Sequence, residues 1–419
     1  MTAQFIINGG KPLSGSVTIQ GSKNTALPLI AASLMTREPV VLENVPDIAD
    51  VEVMFGIAKS IGSHIEWDAS SRRLRIRTRH ITGDTPDDAL CRKLRGSILF
   101  SGALVGRTGS AAIAYPGGDA IGARPLTTHA QALKKLGVVV EEGERIRFDA
   151  KKAAGADLTL EEPSVTATEN TILAALGVPG RTIIRLAACE PHVQELVAFL
   201  RDMGADIAWI SHGRIALTGG KELRGARRRI NPDEVEVSSF AALAAATRSE
   251  FVLKGINPEY LDSVFLQLET MGVACERSSD EITIKKPERS YRNFRVQSGL
   301  YPKLGSDHLP LFAVLATQAE GTSLIHDWLY ENRLRYVPEL QKMGADCVIV
   351  DPHRVLITGP TPLRGCAMAG LDIRSGMTLI VASLVAEGAS VIAQAEHIDR
   401  GYERIDERLR ELGADIRRV

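Results

Sequence analysis

Two kinds of helix-length segment alternate along the chain. One is amphipathic, as at residues 193–203, where apolar positions recur every three or four residues and the rest are polar. The other is apolar on nearly every face, which predicts burial on all sides. It occurs at residues 25–34, 96–105, 169–176, 240–246, 309–316 and 376–385. Short β-rich runs follow at 40–42, 111–114, 182–185, 251–253, 323–325 and 390–393. Amphipathic segments end on an apolar residue, a glycine and a small residue, at Gly62, Gly137, Gly204, Gly272, Gly344 and Gly413. Glycine closes a helix cheaply in the left-handed conformation, and a strand follows each time.

The interval between these glycines is always about 70 residues, which marks a repeated structural unit. Six such α/β units exceed what one core holds comfortably, so two domains of three units each are expected. Units this long are unlike the short repeats of a solenoid.

Composition narrows the picture. Fifty Lys and Arg against 51 Asp and Glu leave a net charge of -1, which excludes a dedicated nucleic-acid binder. No stretch reaches the roughly 20 apolar residues of a membrane helix, and residues 1–20 lack a signal-peptide core. Five scattered cysteines without a C-x-x-C pair fit free thiols in a reducing cytoplasm, where the protein is expected. No cofactor and no metal site is expected, since the nine histidines form no ligand spacing. P-loop, nucleophile-elbow and Rossmann fingerprints are missing from the sequence.

Polar residues gather where the apolar helices begin: Lys23 and Asn24, Arg95, Thr168, Ser238, Asp307 and Arg374. Thr168 and Ser238 suit N-capping as well as function. Cations are different, because they oppose the positive end of a helix dipole unless an anion binds there too. Three loops after β-rich runs add Arg124, Arg333 and Arg400, the first beside the flexible pair Gly117-Gly118. Together Lys23, Arg95, Arg124, Arg333, Arg374 and Arg400 suit a small, highly charged anion.

Several motifs then carry a resemblance. Gly21-Ser-Lys-Asn-Thr-Ala-Leu-Pro28, Pro116-Gly-Gly-Asp-Ala-Ile-Gly-Ala-Arg-Pro125, Glu331-Asn-Arg333, Asp372-Ile-Arg374 and His397-Ile-Asp-Arg-Gly-Tyr-Glu-Arg404 resemble the UDP-N-acetylglucosamine 1-carboxyvinyltransferases, in order and over nearly the whole chain. The shikimate-pathway relative would show Ser-Lys-Ser in place of Ser22-Lys23-Asn24. The resemblance implies two inside-out α/β barrel domains of pseudo-threefold symmetry, residues 22–231 and residues 1–21 with 232–419. The Asp119 loop would belong to the first, and Asp307, Arg333, Arg374 and Arg400 to the second.

It also implies a reaction: a hydroxyl of UDP-N-acetylglucosamine adds to C2 of phosphoenolpyruvate while C3 is protonated, and phosphate then leaves. By resemblance Lys23, Arg124 and Arg400 hold the phosphate, and Arg333 and Arg374 the carboxylate, with Arg95 nearby. Asp307 is the base, and Lys23, Asp119, Asp307 and Arg400 form the catalytic set. Asn24, Arg95, Arg124, Pro125, Leu126, His129, Ser164, Val165, Thr166, Asp307 and Leu329 line the acceptor.

Departures from the family pattern cluster on the acceptor side. They are Thr127, Glu162 where a lysine is usual, Thr166, Cys189 and His308 beside the base. The alternative acceptor is therefore another hydroxyl, such as the ribose 3'-OH of a uridine nucleotide. A silent ligand-sensing protein on this fold is disfavoured by the retained Lys23, Asp307 and Arg400.

Asp119 stands where most of the family has a cysteine attacked by fosfomycin. A carboxylic acid supplies the same proton where burial raises its pKa, but is a poor nucleophile toward the epoxide. The enzyme is therefore expected to resist fosfomycin. Asp119→Cys should stay active and become sensitive in an inhibition assay; an active cysteine variant that remains resistant would overturn the assignment.

Overall fold

A computed structural model describes residues 3–419. The six apolar segments are helices: α1 (Lys23–Ala32), α2 (Leu99–Thr108), α3 (Val165–Gly177), α4 (Glu234–Ala246), α5 (Leu309–Thr317) and α6 (Ile373–Val385). α3 and α4 begin a turn or more before their apolar runs, and Thr168, Glu234, Glu236 and Ser238 in those added turns are buried as well. Thr168 and Ser238 lie inside those turns and are not N-caps; Ser164 and Asp233 occupy the cap positions. The Thr168 hydroxyl donates to the Ser164 carbonyl (2.8 Å) and accepts from the Ala188 amide (3.0 Å). Ser238 donates to the Val235 carbonyl (2.8 Å). Hydroxyls in a first turn bond back to the preceding carbonyls in this way.

Two compact units emerge. One comprises Gly21–Gly118 and Arg124–Asn231; the other comprises Met1–Gln20, Asp119–Ala123 and Pro232–Val419, of which Met1 and Thr2 lie outside the described residues. Each has its own hydrophobic core. In the first, α2 packs on both α1 and α3; in the second, α4, α5 and α6 pack on one another. The expectation that the whole Asp119 loop stays with residues 22–231 is corrected by this division. Within the second unit the Ala123 amide donates to the Glu331 carboxylate (2.7 Å), the Asn332 amide donates to the Ile121 carbonyl (3.1 Å), and Arg400 pairs with Asp119.

Six open sheets, mixed or antiparallel, surround the helices among the described residues. Their shared plan is clear at Val40–Glu43, which pairs antiparallel with Arg73–Arg77, itself paired antiparallel with His64–Asp68, while Arg227–Arg229 adds on the other side in parallel. The sheet nearest the C-terminus follows the same plan with one substitution. Ala389–Ala393 and Asp415–Arg418 flank Gln4–Asn8, so an early strand of the chain takes the central place. The six helix-ending glycines all adopt positive φ, from 83° to 101°. No helix among the described residues is long and apolar enough to cross a membrane.

The closest helix pair is α2 with α3, where glycines remove the side chains that would separate the backbones. A Cβ on Gly177 would lie 1.8 Å from the Gly106 carbonyl oxygen, and one on Gly106 would lie 2.4 Å from that of Leu173. Gly177→Ala should therefore cost about 1–3 kcal/mol through overpacking. A lowered thermal midpoint checks this, with Gly83→Ala as the neutral control because a Cβ there meets nothing within 4 Å.

Candidate active site

The polar starts of the buried helices supply the chemistry, and each unit presents its own group. In the unit that contains α4–α6, Asp307 sits in a single 3₁₀ turn, Ser306–His308, that leads into α5. Its two carboxylate oxygens meet two guanidiniums: Oδ1 accepts from Arg333 Nη2 (2.6 Å) and Oδ2 from Arg374 Nε (3.1 Å). Arg333 and Arg374 are buried, with side chains 2% and 6% exposed, while Asp307 is 36% exposed and reaches the surface. Partial burial raises the Asp307 pKa, but the Arg374 and Arg333 cations outweigh it. The carboxyl ends well below the ordinary carboxylate value.

Arg374 follows the N-cap Asp372, whose carboxylate accepts from the Arg374 and Ser375 amides (both 3.1 Å). Its Nη1 donates to the Tyr402 hydroxyl (3.2 Å), and the guanidinium carbon lies 5.5 Å from that ring's centre. Arg400, two residues before Tyr402, pairs with Asp119. Leu329 is half-buried on the turn between the strand Ala319–His326 and Arg333.

In the other unit Lys23 opens α1 behind the N-cap Ser22, and its ammonium pairs with the buried Asp50 at 2.6 Å. Arg95 and Arg124 converge on Gly118, whose φ is 114°. A Cβ there would lie 3.0 Å from the Arg95 Cβ and 3.3 Å from Arg124 Nη2, so glycine is what lets both arginines close in. Arg95 Nη2 also donates to the Pro125 carbonyl (3.3 Å). His129 lies in the helix Thr127–Lys135, one turn after the half-buried Leu126. Burial and the nearby Arg95 cation push its pKa down to about 3, so the ring is neutral. Asn170 donates to its Nδ1 (3.0 Å), which leaves Nε2 to donate to the Thr166 hydroxyl (3.1 Å). That fixes the 164–166 turn, where Ser164, Val165 and Thr166 are half-buried, as is Asn24 beside Lys23. The Thr128 hydroxyl donates to the Glu162 carboxylate (3.4 Å).

Sequence reasoning passes over Asp50, Asp327 and Glu234. Asp50 and Asp327 lie outside every quoted motif and acquire their partners only in the fold. Glu234 opens α4 with 8% exposure; burial and Asp233 push its pKa up to about 8 despite Arg374. His308 follows Asp307, its Nδ1 2.8 Å from the Ser238 hydroxyl, and burial brings its pKa down to about 4.

A sequence profile of the family described as EPSP synthase (3-phosphoshikimate 1-carboxyvinyltransferase) matches residues 7–409. A UDP-N-acetylglucosamine 1-carboxyvinyltransferase of Bradyrhizobium diazoefficiens is 43% identical over 99% of this chain and 98% of its own. One of Treponema denticola is 40% identical over 99% and 98%. Among solved structures, the enolpyruvyl transferase NikO from Streptomyces tendae has a TM-score of 0.91 at 24% identity, over 100% of this chain and 99% of that one, a likeness of fold. The guanidinium pair of Arg333 and Arg374, the second at the start of buried α6, thus sits on the fold of the enolpyruvyl transferases. The chain belongs to the 1-carboxyvinyltransferase family.

Removing the anion between two buried guanidiniums should be felt in stability. Asp307→Asn is expected to cost on the order of 2 kcal/mol at neutral pH, discounted because Asp307 is partly exposed. Since the folded pKa is depressed, this stabilisation is present above the unfolded value near 3.8 and is lost as pH falls through the folded one. Denaturant titrations of both proteins from pH 7 to pH 3 should show the gap narrowing at the acid end.

Proposed function

We propose that this chain transfers the enolpyruvyl group of phosphoenolpyruvate to the 3-hydroxyl of UDP-N-acetylglucosamine and releases phosphate, the step that commits the sugar to peptidoglycan. The observation that carries the reading is Asp307 clamped between Arg333 and Arg374, in a chain alike over 99% of its length to transferases of that name. Both guanidiniums are buried beside it, and a planar substrate carboxylate suits their forks.

The same clamp explains how a weak base becomes useful. Before substrate arrives, Asp307 is too acidic to take a hydroxyl proton well. A substrate carboxylate on Arg333 and Arg374 offsets their pull, raises the Asp307 pKa and strengthens it as the base for the acceptor hydroxyl. Asp119 follows parallel logic. A substrate phosphate competes for Arg400, and the Asp119 carboxyl beside that guanidinium is the group positioned to deliver the proton that C3 requires. Lys23 and Arg124 supply the remaining cations for phosphate and its developing charge, and Arg95 lies near the carboxylate. Asn24, Pro125, Leu126, His129, Ser164–Thr166 and Leu329 take the acceptor.

In this reading the six sheets and six buried helices are copies of one unit, three to each of two inside-out α/β barrel domains. The protein works in the cytoplasm, and Asp119 confers fosfomycin resistance.

Phosphate release from phosphoenolpyruvate decides the matter. Release that depends on UDP-N-acetylglucosamine is the expected result. Release only with another acceptor, such as a uridine nucleotide bearing a free ribose 3'-OH, would move the function to that acceptor. Silence across a broad panel would end the transferase reading.

A further inference from the structure

Asp327 follows the strand Ala319–His326 and is fully buried, at 0% exposure. A buried carboxylate is costly unless donors surround it. Asp327 Oδ1 accepts from the Leu329 amide (2.9 Å), the Tyr330 amide (3.0 Å) and the Ser298 hydroxyl (3.3 Å). Oδ2 accepts from the Ser306 hydroxyl and lies 3.9 Å from Arg333 Nε.

The same Ser306 hydroxyl accepts from Arg333 Nε at 3.0 Å. Because its one proton goes to Asp327, a lone pair is left facing the guanidinium. Arg333 is thereby held at two points, by Asp307 at Nη2 and by Ser306 at Nε. Two fixed N–H groups define the plane of a guanidinium, and that plane decides whether a carboxylate can be met in fork geometry.

We infer that Asp327 is a positioning residue, which acts through the Ser306 hydroxyl to set the plane of the Arg333 guanidinium that receives the substrate carboxylate. This rests on the reading of Arg333 as a carboxylate-binding residue. The backbone of Asp327 is held independently. Its amide donates to the His353 carbonyl (2.8 Å), and its carbonyl lies 2.8 Å from His353 Nδ1. An asparagine would still accept from the two loop amides through its one carbonyl oxygen. Its amide nitrogen, however, would face Ser306 as a donor, turn the hydroxyl proton toward Arg333 and oppose donor to donor.

The test measures steady-state constants for D327N, S306A and the double variant. D327N should raise the KM for phosphoenolpyruvate about tenfold or more, with kcat and the acceptor KM within about threefold of the parent. S306A should raise the same KM less. The double variant should be no worse than D327N, since without the hydroxyl the donor conflict is gone. A phosphoenolpyruvate KM for D327N within twofold of the parent overturns the inference, and so do single effects that multiply. If D327N does not fold, S306A decides alone: a rise of threefold or more supports the relay, and an unchanged KM removes it. A parent protein that does not turn over phosphoenolpyruvate sinks the functional reading and this inference together, whereas normal parent kinetics with unmoved variants sink this inference only.

Discussion

A helix that is apolar on every face is stable in water only when something else covers every face. Six such helices set the terms for the rest of this protein. Each unit answers with three of them packed together and sheets laid around them, so that the polar ends of the buried helices are where the chain presents its chemistry. Glycines at 102, 106 and 177 let two backbones approach until little room remains even for a methyl group. The helix starts are correspondingly rigid, and groups placed on them keep their positions without flexible loops.

Rigidity is what makes the charge arrangement meaningful. Arg333 and Arg374 are buried, so water screens them poorly and Asp307 feels both strongly. In solvent the same three side chains would be a weak surface cluster. Inside the fold they hold one carboxylate between two cations, and in the proposed function an incoming anion tips that balance and joins binding to proton transfer. The Arg400–Asp119 pair sets one carboxylate against a single cation.

Much of the architecture was legible because it rests on local chemistry. A glycine after an apolar residue at the end of an amphipathic run has one economical conformation, and all six glycines adopt it. The buried helices were legible because no polar face interrupts them. The candidate site was legible only as a set of residues. Lys23, Arg95 and Arg374 stand out as cations at helix starts, yet nothing in the sequence tells that Lys23 meets Asp50 or that Asp327 reaches Arg333 through Ser306. Those partners come from segments that only tertiary packing brings together. Thr168 and Ser238 misled for a related reason, since a hydroxyl near a helix start caps or bonds back according to where the first turn falls.

The strand Gln4–Asn8 carries a consequence for how the protein is made. It sits between Ala389–Ala393 and Asp415–Arg418, and Ser14–Thr18 pairs with Glu250–Lys254. A ribosome delivers residues in order, at roughly 5–20 per second. The segment from Gly21 to Asn231 is complete while the partners of these early strands are still to be synthesised. One unit has what it needs to assemble during translation; the other must keep two early strands with their edges unpaired for many seconds. Those edges, rather than the charged site, are where a chaperone or a misfolding partner would find this chain most accessible.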